Sequence, residues 1–256
     1  MTSTADLEQP LTTTPDQYRL DWPRAWRAVK RLVADKDDTQ QVFEVMDALS
    51  GRTAPKGYIR LLATRAGGRI AYDRVELAER FADRDWLASL PAESVGAAYL
   101  RFTDAANISA EGLADESRKV DGTRIDSQHP YAWYGRRVRD IHDVWHVLTG
   151  YSTDALGEAC LVAFSYAQTK ATGFALIAVA AANAIKKDLP REQVWAAVAQ
   201  GWRNGRGAAW LPALDYEALM LEPLEAARAR LNIPRPDKYL AIDQAARARA
   251  MTMAHA

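Results

Sequence analysis

The chain has 256 residues, is 48% apolar with eight tryptophans, and carries 33 basic against 33 acidic side chains. That length and apolar content suffice for a sizeable core, and the charge balance excludes polyelectrolyte attraction to nucleic acid, so partners must be sought in local features. The single cysteine, Cys160, excludes an internal disulfide framework and a thiolate-rich zinc site, which leaves imidazole and carboxylate as metal ligands.

Residues 1–20 open with a Thr-, Gln- and acid-rich stretch that has neither the apolar core of a signal peptide nor the Arg-rich face of a transit peptide. They read as a disordered leader ahead of a helical domain over 21–233. Trp22, Trp26, Val29 and Val33 recur at helical spacing behind Pro23, as do Val42, Val45, Met46 and Leu49 between an Asp38 cap and Gly51. A less regular stretch through Gly67-Gly68 leads to an apolar segment at 75–81. Pro91 then starts a helical run carrying Val95, Ala98, Tyr99 and Phe102.

Residues 109–119 read as a polar helix and 120–130, with Asp-Gly and His-Pro, as a loop. One helix is predicted over 131–148, ended by Gly150. Thr153 caps the next, which runs from Asp154 towards Lys187 with Gly173 as a bend and belongs, with Ala, Leu, Val and Ile on most faces, in the middle of a bundle. Its charge-free run, 171–185, is 15 residues, short of the ~18 a spanning helix needs. Beyond Leu189-Pro190, a helix is predicted over 191–202, a turn at Asn204-Gly205, and a helix over 213–231 kinked or restarted by Pro223. Residues 234–256, rich in Arg and Ala, form a last helix or a tail. With no alternating runs, fixed repeat or Gly-rich phosphate loop, the expected class is all-α, a single-domain helical bundle whose chemistry sits on helices.

His142 and His146 stand one turn apart on one helix face, about 6 Å along the axis, so two imidazoles can share an ion. Asp143, rotated by roughly 100°, joins at the edge of that face. An antiparallel hairpin after Gly150 would set Glu158 beside the preceding turns, facing the His pair. A His pair at this spacing is also compatible with a hydrogen-bonded surface, but Ile141, Val144, Trp145, Val147 and Leu148 surround it with apolar side chains, and buried imidazoles need partners. The donor set suits zinc, manganese or iron(II), with magnesium favoured only by a more oxygen-rich version; two His and a carboxylate with open positions also hold oxygen-activating iron.

These residues resemble the ubiquinone (coenzyme Q) biosynthesis proteins of the Coq-four type, in their bacterial form. That family's hallmark, His-Asp-x-x-His, eleven residues, then Glu, is met by His142, Asp143, His146 and Glu158. Arg139 and Ile141 before it, Leu148, Thr149, Gly150, Leu156 and Gly157 after it, and the block Arg203-Asn204-Gly205-Arg206 followed by Tyr216, Glu217, Leu224 and Arg228 also look like the family. The resemblance covers roughly 29–233, most closely 136–164; the leader and the end after Pro236 lie outside it.

The resemblance implies an all-helical protein that binds a divalent cation and a polyprenylated aromatic ring precursor. It implies work with other ubiquinone biosynthesis enzymes at a membrane surface, hence a cytoplasmic location peripheral to the inner membrane, and leaves a homodimer open. The implied activity is oxidative decarboxylation at ring carbon one, the carboxylate giving way to a hydroxyl. In that reading His142, Asp143, His146 and Glu158 are metal ligands. Arg139 pairs with the substrate carboxylate or locks a ligand carboxylate, unless it forms an ordinary ion pair, and Phe174 begins an Ala-rich wall that either borders a groove for the prenyl tail or packs tightly. Trp133, Tyr134 and Trp210 suit a membrane interface or a core equally. Two other functions stay open at this stage: a non-catalytic lipid-binding scaffold with a structural metal, and a metal-dependent hydrolase, for which His129 is poorly spaced and Asp143 is a poor substitute for a Glu base.

Overall fold

The computed structural model describes residues 18–35, 38–106 and 128–250. Most of the leader, the polar helix at 109–119 and most of the loop at 120–130 lie outside the described residues. Among the described residues the protein is all-α with no strand, and no helix is long and apolar enough to cross a membrane.

Helix α1 (Trp22–Ala34) starts where the Asp21 carboxylate accepts from the Arg24 amide and Pro23 sits in the first turn. It buries Ala25, Ala28 and Val29, while Trp22 and Trp26 face outward. The stripe expected from Trp22, Trp26, Val29 and Val33 is therefore rotated: small alanines let α1 lie close against α2 (Thr39–Ala48), and a tryptophan there would hold the two apart. Of the expected residues, Val45 within α2 and Leu49 just past its end are buried, although Asp38 makes no side-chain capping bond.

The irregular stretch resolves into α3 (Thr53–Leu62), α4 (Gly67–Asp73), α5 (Leu77–Ala82) and α6 (Arg84–Ser89). The next helix, α7 (Val95–Ala106), begins at Val95 and not at Pro91, because the Ser94 hydroxyl caps it by accepting from the Ala97 amide at 3.1 Å.

The helix expected over 131–148 is two, α8 (Pro130–Asp140) and α9 (His142–Thr149). They are separated at Ile141, where ψ is −6° and the side chain is fully buried. After the turn at Gly150, α10 (Ala155–Thr169) is capped by Asp154, not Thr153, through the Gly157 amide at 2.9 Å. It ends at Lys170 in the left-handed region, so α11 (Thr172–Ile185) is a separate helix. Gly173 is not the bend: it lies inside α11, where an added Cβ would come 2.7 Å from the Met46 sulfur.

Helix α12 (Arg191–Gly207) runs straight through Asn204-Gly205, where a turn was expected. Packing overrides the local signal here. A Cβ on Gly201 would fall 2.4 Å from the Cys160 carbonyl oxygen, and one on Gly205 would fall 2.6 Å from that of Phe164. The two glycines, one turn apart, form the groove that admits α10, which also packs on α11.

A 3-10 turn, Leu211–Ala213, precedes α13 (Tyr216–Leu221), and Pro223 restarts the chain as α14 (Leu224–Arg230). That break is held by the segment before α7, with the Val95 amide donating to Glu222 and the Leu224 amide to Glu93, both at 2.9 Å. Beyond Pro236, α15 (Asp237–Leu240) and α16 (Gln244–Arg249) are helical and bury Tyr239 and Ile242. The principal core joins α1 and α2 to α7 and α9–α16, and a second cluster of Leu61, Ile70, Ala71, Trp133 and Tyr134 sits between α3, α4 and α8. Trp133 and Tyr134 are thus core residues.

Candidate metal centre

The α9–α10 hairpin assembles the candidate ligands. Gly150, at φ +76°, ends α9 with its amide donating to the His146 carbonyl at 2.8 Å, and Arg228 of α14 donates to the carbonyls of Val147 and Leu148, both at 2.9 Å. This arginine satisfies the orphan acceptors of the ligand helix and opposes the negative end of its dipole. Trp145, between the two histidines, donates its indole N–H to Tyr216 at 2.7 Å, which fixes the rotation of α9 about its axis. On α10, Asp154 caps the helix that carries Glu158 and also accepts from the Tyr239 hydroxyl at 2.6 Å.

One ligand atom from each of His142, Asp143 and His146 lies within 4.8 Å of the others. Donors bound to one ion at about 2.0–2.3 Å are separated by distances in that range. His142 and His146 meet edge to face with ring centroids 5.2 Å apart, and Phe102 of α7 stacks on the other side of His146 at 5.1 Å. Glu158 arrives from α10 with Oε1 3.2 Å from His146 Nε2.

His146 shows why these groups fit a cation. Its ring is buried, and Nδ1 lies 3.1 Å from the carbonyl oxygen of Tyr151. A carbonyl only accepts, so Nδ1 carries the proton and the neutral ring turns its Nε2 lone pair towards the Glu158 carboxylate. Two acceptors at that distance need a positive charge between or upon them, from a proton or a metal ion. Burial alone pushes the His146 pKa down, but the charge and hydrogen bond of Glu158, the charge of Asp143 and the Tyr151 carbonyl leave it raised overall. Two imidazole nitrogens and one carboxylate make a group that could hold a metal ion, with the Glu158 carboxylate set against His146 at its edge.

Arg139 pairs with Asp140. It is buried against its neighbour, with Nε and Nη2 both 2.7 Å from Asp140 Oδ1. Asp140, missed in the sequence, is a buried carboxyl whose pKa is pushed up to about 6 by burial, held back by the charge of Arg139 and its hydrogen bond. Its Oδ2 has no hydrogen-bond partner among the described residues. The buried Tyr99 of α7 has its pKa raised by burial and then by the charges of Asp143 and Asp140, so it remains a protonated hydroxyl beside both carboxylates. Asp140 stands three residues before Asp143, a helical spacing that could have marked it. Tyr99 and Phe102 had no such signal, since only the packing of α7 on α9 brings them in. Phe174 is buried in the principal core on α11, which packs on α1, α2, α10 and α12.

Residues 33–237 match the sequence profile of the family described as coenzyme Q (ubiquinone) biosynthesis protein Coq4. The chain is 30% identical over 177 residues to the mouse mitochondrial ubiquinone biosynthesis protein COQ4 homolog, which aligns over 68% of this chain and 63% of the relative. The human homolog gives the same identity and coverage. The Penicillium rubens mitochondrial protein coq4 is 28% identical over 202 residues, 75% of this chain and 67% of its own. The match thus spans a little under two thirds of the mammalian relatives' length. The fold is similar to a crystal structure from Nostoc punctiforme assigned to ubiquinone biosynthesis, with a TM-score of 0.61 at 20% identity over 84% of this chain and 99% of that one.

Proposed function

Since this chain belongs to the coenzyme Q (ubiquinone) biosynthesis protein Coq4 family, we propose that it holds one divalent metal ion through His142, Asp143, His146 and Glu158 and converts a polyprenylated aromatic ring precursor by oxidative decarboxylation. The supporting observation is His146: it belongs to a group with His142 and Asp143 that could hold an ion, and, with Nδ1 committed to the Tyr151 carbonyl, its Nε2 faces the Glu158 carboxylate at 3.2 Å.

The net change replaces a ring carboxyl by a hydroxyl. One dioxygen and two reducing equivalents from an external donor balance it, giving carbon dioxide and one water beside the new phenol. The bound ion would supply positive charge to hold the ring carboxylate or phenolate and to stabilise the charge that develops as carbon dioxide leaves. The protein's own groups set the stage. The Tyr151 carbonyl fixes the His146 tautomer, and Phe102 covers that ring and excludes water from one side. Tyr99, kept protonated by burial and by the charges of Asp143 and Asp140, presents a neutral phenol near both carboxylates. Arg139 is engaged by Asp140 and in this reading steadies the start of α9 instead of gripping substrate. The prenylated precursor brings the protein to a membrane surface and to the other enzymes of the pathway.

The test is quinone profiling by mass spectrometry in cells lacking the protein, complemented with wild type or His142→Ala, alongside metal analysis of the purified variants. A prenylated ring that keeps its carboxyl and is cleared only by wild type supports the reading. Normal quinone in the deletion strain overturns it, and stoichiometric metal in both His142→Ala and Glu158→Ala overturns the ligand assignment.

A further inference from the structure

The chain is electrically balanced as a whole but not over residues 52–75, where Arg52, Lys56, Arg60, Arg65, Arg69 and Arg74 face the single acid Asp73. These residues belong to α3, α4 and their flanks. The inner side of that helix pair is anchored by Leu61, Ile70 and Ala71 against Trp133 and Tyr134 of α8. The outer side carries apolar groups in the open: Tyr72 is 87% exposed, Ile59 60% and Leu62 46%. A hollow of about 480 Å³ lies between the helices, lined by Tyr58, Leu62, Gly68, Ala71, Tyr72 and Arg74.

The cations on this face differ in how they are engaged. Arg69 pairs with Asp215, Arg60 lies over the Trp210 ring, and Arg74 donates to the carbonyls of Ala71 and Gln128. Lys56 and Arg65 are exposed and form no ion pair among the described residues. Two uncompensated cations therefore flank exposed aliphatic and phenolic side chains. In an aqueous surface that combination wastes apolar area. At a lipid interface both parts are satisfied: Ile59, Leu62 and the Tyr72 ring enter the headgroup and acyl boundary, while the long cationic side chains reach phosphate oxygens.

We infer that the outer face of α3 and α4 docks on a bilayer carrying anionic phospholipid. This deepens the functional reading above, because a prenylated precursor resides in such a bilayer. The charge on the face selects anionic headgroups, and the protruding apolar side chains select a lipid surface over an acidic protein.

The experiment is flotation of the full chain with vesicles of phosphatidylcholine alone or mixed with phosphatidylglycerol, at low and at physiological salt. Wild type floats with the anionic vesicles and less so as salt rises. Lys56→Glu with Arg65→Glu, and separately Ile59→Ser with Tyr72→Ser, lower the bound fraction by about tenfold or more, at unchanged circular dichroism. Each of three results overturns the inference: equal flotation of wild type and both variants, no flotation of wild type, or a wild-type dimer in sedimentation that the Ile59→Ser, Tyr72→Ser variant dissociates, which would make a second copy the occupant. His142→Ala is run in parallel. It floats like wild type if docking is independent of the metal, so loss of metal and loss of docking are read separately.

Discussion

At the scale of single residues, the chemistry of this chain depends on which polar groups are left wanting a positive charge. His146 is held by a carbonyl on one side and faces a carboxylate on the other, so removing the carboxylate leaves the imidazole neutral and in place. Glu158→Ala should accordingly lose metal, by elemental analysis, while its thermal midpoint stays close to that of metal-free wild type. Cys160 illustrates the opposite case, a titratable group that takes no part. It is buried, and burial, reinforced by the charge of Asp154, raises its pKa well above the ordinary thiol value, with only Arg247 acting the other way. The thiolate is the nucleophile, so the native protein should react with a thiol reagent only as fast as it opens. Rapid stoichiometric labelling at neutral pH, without denaturant, would contradict that assignment.

At the scale of helices, close approach outweighs local propensity. Gly201 and Gly205 each disfavour α12 by roughly 1 kcal/mol relative to alanine, yet they let the backbone of α10 lie where a methyl group would have to be. Gly201→Ala, which would stabilise an isolated helix, should therefore destabilise this protein by about 1–3 kcal/mol in a urea titration. A gain in stability would show that α10 can yield. The same contact bears on the candidate metal centre, since α10 carries Glu158, which lies 3.2 Å from His146. The end of α10 nearest that centre is fixed by Asp154, which caps the helix and receives the Tyr239 hydroxyl from α15. Arg247 of α16 closes on the same carboxylate at 3.8 Å.

At the scale of the whole molecule, the two apolar clusters divide the labour. The principal core encloses the hairpin, with α7, α12 and the C-terminal helices around it, and the smaller one attaches α3 and α4 through α8. Few apolar contacts and an exposed outer face mean a low opening free energy, so amides of α3 and α4 should exchange with deuterium before those of α10 and α12. Equal protection would mean the helix pair is as firmly held as the core. The all-α class and the place of His142, Asp143, His146 and Glu158 on two successive helices follow from the sequence, because helical periodicity, a three-and-four spacing of His and Asp, and a glycine stop are local properties. The family was legible for the same reason, its hallmark being confined to 142–158. The sequence could not place Asp140 as a buried carboxyl, bring Tyr99 and Phe102 beside the histidines, turn Trp22 and Trp26 outward or carry α12 through Asn204-Gly205. Each of those depends on what another helix presents at the point of contact, and only the packed tertiary structure decides that.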